Sequence, residues 1–329
     1  MARPSFMPDN FTLAILAVVI TATVLPVYGS AAVLFEWLTY LAIALLFFLH
    51  GAKLSREAVI AGIMHWRLHL LVFALTFILF PALGLLMRPI LAPMMSMELY
   101  MGILYLCALP ATVQSAIAFT SLARGNIPAA VCSASASTLL GIFMTPVLVN
   151  LLLDAQGHTG SPVEAISAIV VQLLLPFIAG QIARRWIGGW ITRHAGKLKY
   201  VDQSSILLVV YTAFSAAVIQ GLWREVPLPM LGVLVVVCCV LLAIVLLIST
   251  FLARRLGFSK EDEITIVFCG SKKSLATGVP MAQVLFSAGS VGAVLLPVML
   301  FHQIQLMVCG ILAQRYARRA VSPEDVTAA

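Results

Sequence analysis

The chain has 329 residues, of which 62% are hydrophobic and only 10% charged, against about 25% charged in an ordinary soluble domain. A mean hydropathy of +1.06 makes lipid the solvent for much of the surface and excludes a water-soluble enzyme, a disordered chain and a collagen-like one. The net charge of +7 is therefore read first as loop charge that orients membrane segments, and only then as a surface for nucleic acid.

A hydrocarbon core about 30 Å thick needs roughly 20 mostly apolar residues per helix. In chain order, ten windows meet that requirement: 11–28, 31–50, 68–87, 99–123, 127–152, 163–186, 203–222, 228–252, 262–286 and 290–314. Val233 to Ile248 is an unbroken apolar run. The first window also has the look of a signal peptide, since Val27 to Ala32 offers small residues for cleavage. Its leading segment, however, holds only Arg3 and also carries Asp9, which favours a span.

The basic residues sort by connector. Arg3 precedes span one; Lys53, Arg56 and Arg67 follow span two; Arg124 follows span four. Arg184, Arg185, Arg193, Lys197 and Lys199 follow span six, Arg254, Arg255 and Lys260 follow span eight, and Arg315, Arg318 and Arg319 follow span ten. That places sixteen of the 20 basic residues on one side and leaves Arg88 and Arg224 on the other. The positive-inside rule then predicts ten crossings with both termini cytoplasmic. The charge is absorbed by topology, and nothing is left to support nucleic-acid binding. Trp186 to Lys199 reads as an amphipathic helix on the inner leaflet with Trp186, Trp190 and Ile191 towards lipid. Cys107, Cys132, Cys238, Cys239, Cys269 and Cys309 lie in apolar stretches without ligand spacing, as small hydrophobes. No connector exceeds about twenty residues, so residues 1–329 read as a single membrane transporter domain ending in a cytoplasmic tail, 315–329.

Ten spans divide into two sets of five, about 11–152 and 163–314. An odd number per set inverts the second relative to the first. Leu25-Pro26 in span one echoes Leu175-Pro176 in span six, and spans four and nine each have a polar centre with helix breakers. Interrupted helices at matching positions of an inverted repeat point to a transporter's binding site. In span four the interruption is Ala108 to Ser115: Pro110 removes a backbone donor, and Thr112, Gln114 and Ser115 can satisfy freed groups or a ligand. In span nine it is Cys269 to Pro280, holding Ser271, Lys272, Lys273 and Ser274. Pro110 alone reads as a helix kink; the matching break one repeat later argues for more. Ser133, Ser135, Ser137 and Thr138 on span five add hydroxyls, each of which on its own is small-residue packing.

Lys272 and Lys273 are the most informative pair. Lys272 lies about 16 Å into its span at 1.5 Å per residue, near the midplane, where an ammonium costs at least ~2.5 kcal/mol and needs a partner, a wet cavity or deprotonation. Glu36, Asp154, Glu164 and Glu225 fall near the outer ends of spans and Glu57, Asp202, Glu261, Asp262 and Glu263 near the inner ends, so no carboxylate is expected beside the pair. Two resolutions follow: an anionic substrate, or a lysine that takes and releases a proton. The alternative is that both lysines pin buried carbonyls as structural elements. His302, Gln303 and Gln305 on span ten, Gln172 on span six and Gln220 on span seven are weaker cavity candidates, and His50 with Lys53 reads as interfacial. No HExxH, GxSxG, phosphate loop or acidic pair occurs, and Lys272 and Ser274, two residues apart on a broken helix, give little basis for a Ser/Lys nucleophile. The expectation is no enzyme and no cofactor.

Pro110 to Ser115, Ser121 to Asn126 (Ser-Leu-Ala-Arg-Gly-Asn), Ser133 to Leu139 (Ser-Ala-Ser-Ala-Ser-Thr-Leu) and Gly270 to Ala276 (Gly-Ser-Lys-Lys-Ser-Leu-Ala) together resemble the bile acid:sodium symporter family over essentially the whole chain. The last run is similar to its SBF-like branch, related to vertebrate solute carrier family ten, member seven. The resemblance implies an all-α polytopic membrane protein: ten transmembrane helices as two inverted five-helix repeats. A panel of spans one, two, six and seven and a core of spans three to five and eight to ten would follow, with broken helices four and nine crossing. It also implies a sodium site near Gln114, Ser115, Ser135 and Thr138, completed by an acid and an amide of span nine. Span nine departs from that pattern: no acid lies between Glu263 and the end of that span, and Lys272 and Lys273 stand where the sodium residues belong. An ammonium repels sodium, and without the carboxylate the site loses its counter-charge.

The expected function is secondary transport of a small organic anion by alternating access in a lipid membrane. A lysine takes the place of the coupling sodium, with coupling to protons or none; oligomeric state is not legible. The candidate binding residues are Pro110, Thr112, Gln114, Ser115, Ser135, Thr138, Ser271, Lys272, Lys273, Ser274, His302 and Gln303. A second reading is a regulatory membrane protein of the same fold that affects ion homeostasis or envelope assembly without moving solute.

Overall fold

The computed structural model of the chain describes residues 10–53, 65–154, 170–287 and 289–319, and these are helical with no strand among them. Helices α1 (Asn10–Val24) and α2 (Ser30–Lys53) come first, then α3 (Trp66–Leu86). The pair α4 (Met97–Ala108) and α5 (Gln114–Leu122) follows, and then α6 (Ile127–Asp154). In the second half lie α7 (Leu175–Arg193), α8 (Ala195–Ile219) and α9 (Leu228–Arg255). The chain closes with the pair α10 (Lys260–Gly270) and α11 (Leu275–Leu285) and with α12 (Val291–Ala317). Among the described residues six helices are long and apolar enough to cross a membrane, and Leu13–Val24 and Met97–Ala108 are shorter apolar helices. Their outward faces carry large apolar side chains such as Trp37, Val236, Leu247 and Phe251, the surface of a protein solvated by lipid.

Proline chemistry explains the irregular points. Leu109 precedes Pro110, and the proline ring drives it out of the helical region to φ −68°, ψ 152°, which ends α4. Pro81 and Pro176 sit second in a helical segment, and each has a π turn just before it, Leu75–Leu79 and Val170–Leu174. The wider turn relieves the clash between the proline ring and the preceding carbonyls. Pro26, by contrast, lies in the turn after α1, so the Leu-Pro echo between spans one and six is not a match of local structure. The second break is shorter than the sequence suggests. Only Ser271 to Ser274 leave the helix, Ser274 caps α11 by accepting from the Thr277 N–H, and Pro280 is accommodated within α11.

Helix packing sorts the elements. Helices α1, α2, α7 and α8 pack on one another, while α3 to α6 pack with α9, α10 and α12; α8 touches α11 and α12. Helices α2 and α7 approach each other closely. A Cβ on Gly51 would stand 2.1 Å from the Phe177 carbonyl oxygen, and one on Gly180 would stand 2.0 Å from that of Phe48; only glycine lets two backbones meet so closely. Thr39 and Thr212 share a hydrogen bond of 2.9 Å between α2 and α8.

Trp186 to Lys199 does not form a separate surface helix. It is the end of α7, His194, and the start of α8. Trp186 and Trp190 are exposed as expected, but Ile191 is buried against Leu49, Ala52 and Leu198. The helical repeat carries both tryptophans to one face and Ile191 to the other. Five of the six cysteines are buried and Cys239 is exposed; all six are free thiols. Arg3, Asp9, Arg56, Glu57, Glu164 and the tail beyond Arg319 lie outside the described residues, as does the start of span six.

Candidate functional site: two helix breaks and the cavity beside them

The two breaks meet. The Ser274 N–H donates to the Pro110 carbonyl at 2.9 Å, and the Tyr105 hydroxyl donates to the Gly278 carbonyl at 2.5 Å. Helix α6 closes the first break from behind: Ser137 Oγ accepts from the Ala111 N–H at 2.9 Å, and Thr145 donates to the Ala108 carbonyl at 2.9 Å. The groups that the break releases from helical pairing are thus taken up by side chains, as a backbone buried in lipid requires.

Lys273 enters this arrangement with its ammonium fully buried. Nζ donates to the carbonyls of Leu109 at 2.7 Å, Cys107 at 2.8 Å and Thr76 at 2.8 Å, and lies 4.1 Å from the centre of the Phe80 ring. Each acceptor has a reason to be free. Cys107 and Leu109 end a helix, where carbonyls lack partners and the dipole favours a cation. In the π turn the Phe80 N–H bonds to Leu75, and Pro81, next in line for the Thr76 carbonyl, has no N–H to give. Gln305 holds the Lys273 peptide from the far side: its Oε1 accepts the Lys273 N–H and its Nε2 donates to the Lys273 carbonyl, both at 2.9 Å.

Lys272 turns the other way. Its buried ammonium donates to the Ser115 carbonyl at 2.9 Å and faces the rings of Phe119 at 3.8 Å and Phe268 at 5.4 Å, a cation–π setting. Among the described residues neither lysine has a carboxylate in ion-pair range.

Beside the breaks lies a cavity of about 360 Å³. One wall comes from α1, α2, α7 and α8 and holds Phe11, His50, Lys53, Phe177, Lys199 and Asp202; the other holds Thr112, Gln114, Ser115, Ser135, Thr138, Ser274, Thr277 and His302. The N-terminal ends of α5 and α11 open onto it, and those ends carry partial positive charge and spare N–H groups. Thr112 and Ser115 are hydrogen-bonded hydroxyl to hydroxyl, and Thr138 Oγ1 donates back to the Ala134 carbonyl at 3.1 Å.

Of the residues singled out from the sequence, the structure therefore gathers Thr112, Gln114, Ser115, Ser135, Thr138, Ser274 and His302 around one space. Pro110, Ser271, Lys272, Lys273 and Gln303 are not on its lining. Pro110 and Lys273 build the crossing behind it. Ser271 is buried and donates to the Val267 carbonyl at 2.6 Å. Gln303 is half-buried; two residues on, Gln305 holds the break. His50, Lys53, Lys199 and Asp202 were legible only as span-end charges, yet they line the cavity. Ser137 and Thr76 also belong to the site, and Pro81 was the one local signal for the latter.

Long apolar helices, two of them broken and brought together beside an internal cavity, define an integral membrane protein built like a solute transporter. The chain belongs to the SBF-like CPA transporter family, whose model matches residues 9–318. It is 71% identical over 320 residues to an uncharacterised Pseudomonas aeruginosa protein, covering 97% of this chain and 96% of the relative. It is 58% identical over 314 residues to YfeH of Escherichia coli, with 94% and 93% covered. The mouse protein named sodium/bile acid cotransporter 7 is 29% identical over 278 residues, with 83% and 81% covered.

Proposed function

We propose that the chain is a secondary transporter that carries a small organic anion across the bacterial inner membrane by alternating access, and that it is no enzyme. In this reading residues 1–329 form one transporter domain of ten crossings in two inverted repeats with both termini cytoplasmic. Helices α1, α2, α7 and α8 act as the panel, and α3 to α6 with α9 to α12 act as the core. The single observation that carries it is the cavity between those two groups, onto which two helix N-termini and a row of hydroxyl and amide groups open; that is a setting for an anion. The name of the mouse relative points the same way.

Coupling is the finer part of the proposal. The hydroxyls and amide of Gln114, Ser115, Ser135 and Thr138 would offer a sodium ion neutral ligands, but among the described residues the one carboxylate on the cavity lining, Asp202, lies on the opposite wall and is paired with Lys53. Two fixed ammoniums lie in the same core. We therefore assign the role of the coupling sodium to a lysine, Lys273 being the better placed because three carbonyls receive it. Transport is then uncoupled, or coupled to protons through Lys272. The test is uptake of radiolabelled taurocholate and of a sulfated steroid into proteoliposomes under separately imposed sodium and pH gradients. Uptake without sodium supports the reading. A strict sodium requirement that survives Lys272→Ala and Lys273→Ala overturns the lysine assignment, and the absence of flux for either anion under every gradient overturns the transporter assignment for this substrate class.

A further inference from the structure

The ionisable groups of the cavity are unevenly placed. Among the described residues the only one on the core wall is His302, whereas the panel wall holds His50, Lys53, Lys199 and Asp202. Lys272 and Lys273 are buried behind the core wall and do not reach the cavity lining, so the cationic character of the space comes from α2 and α8. Lys53 and Asp202, 149 residues apart, form an ion pair across these two helices with side chains 30% and 15% exposed. The pair is incompletely served: Asp202 Oδ1 is buried and has no hydrogen-bond partner. A buried carboxylate oxygen left unpaired is costly. Lys199 lines the same wall without a carboxylate in range among the described residues, and His50 Nδ1 is tied to the Leu46 carbonyl at 2.7 Å.

We propose that this wall is a charge-exchange subsite for the acidic group of the transported anion. The proposal rests on the organic-anion reading above and names the residue that reads the charge. Asp202 holds Lys53 at the cavity surface, and an incoming carboxylate or sulfonate competes with Asp202 for the Lys53 ammonium. Lys199 lends positive potential, and the apolar body of the ligand lies towards Phe11 and Phe177. Asp202 thus works as an internal competitor that sets the affinity, and the core wall receives the neutral polar part of the ligand. A carboxylate and a sulfonate offer Lys53 the same chemistry, and cholate and taurocholate separate them.

The test uses the full-length protein in detergent and follows thermal stabilisation by cholate and by taurocholate. In Asp202→Asn, Lys53 is released from its competitor, and the half-maximal concentration is expected to fall about tenfold, the change that accompanies loss of one close charge pair. In Lys53→Met the stabilisation is lost. Because a lone Asp202 can destabilise that variant, Lys53→Met/Asp202→Asn removes both charges together and is expected to raise the half-maximal concentration at least tenfold above that of Asp202→Asn. Equal stabilisation of wild type, Asp202→Asn and the double variant overturns the subsite and leaves the anion cavity standing. No stabilisation of any of them by either anion overturns both.

Discussion

The ammonium of Lys273 meets the carbonyl of Leu109 at 2.7 Å, and Leu109 is the residue that Pro110 expels from its helix. A break in one helix and a charge in another are thereby one construction. Replacing Lys273 by methionine keeps the length and the packing against Phe80 but leaves three buried carbonyls without donors. The expected loss is about 3–5 kcal/mol, as for removing one member of a buried charged network, read as a fall in midpoint of thermal or denaturant unfolding in detergent. A loss below about 1 kcal/mol would show that the carbonyls find other donors.

Lys272 should matter less to stability. It has one carbonyl and two ring faces, so Lys272→Met is expected to cost about 1–3 kcal/mol. The contribution of the nearer ring is separable. A double-mutant cycle of Lys272→Met with Phe119→Leu should return a coupling of about 1–2 kcal/mol, and additivity of the two changes would remove the cation–π contact from the account.

Gln305 and Gln303 provide a matched pair of substitutions two residues apart on α12. Gln305→Leu strips both hydrogen bonds from the Lys273 peptide and is expected to destabilise by about 2–4 kcal/mol. Gln303→Leu, at a half-buried position outside the cavity lining, should change stability by no more than about 0.5 kcal/mol. Unfolding midpoints of the two variants measured side by side decide it, and a reversed order would move the clamp from Gln305 to Gln303.

The contact between α2 and α7 makes a steric prediction. A methyl group at Gly51 or Gly180 would run into backbone carbonyls at 2.1 and 2.0 Å, which no side-chain rotation relieves. Gly51→Ala and Gly180→Ala are each expected to cost at least about 1–3 kcal/mol, the scale of overpacking. Gly189→Ala is the control on the same α7 helix, since nothing lies within 4 Å of its added Cβ. There, helix propensity alone predicts a gain of about 0.5–1 kcal/mol, and unfolding midpoints that moved alike in all three variants would refute the contact.

What could be read from the sequence followed from how local each signal was. Hydropathy located most of the long helices within a few residues, because burial in lipid acts on every residue of a span, but it ended α7 and began α8 several residues away from Arg193 and Ala195, where both helices run on through a charged stretch. Pro110 located the first break because its effect falls on its immediate neighbour. The second break was drawn too long, out to Pro280, since a proline tells where a helix is weak and not whether tertiary packing accommodates it. The partners of Lys273 were hidden for another reason: Thr76 lies 197 residues away and Cys107 166, and backbone carbonyls carry no residue signature at all. Lys53 was expected at the membrane interface and Asp202 only near the inner end of its span, and both line the cavity. A charge at the end of a span looks the same whether it faces headgroups or a cavity, and only the packing of α2 on α8 separates the two.

Lys272 and Lys273 are adjacent in the chain but reach opposite sides of the first break, Ser115 on one and Leu109 on the other, with no carboxylate in ion-pair range of either among the described residues. Their bonds are all to core backbone, so the two ammoniums travel with the core rather than with the ligand. In the proposed alternating-access cycle, a displacement of that core along the membrane normal would move up to two elementary charges through the transmembrane field, where each is worth about 2.3 kcal/mol for every 100 mV traversed. On that proposal the membrane potential itself would be a force on the resting orientation of this protein, before any solute is bound.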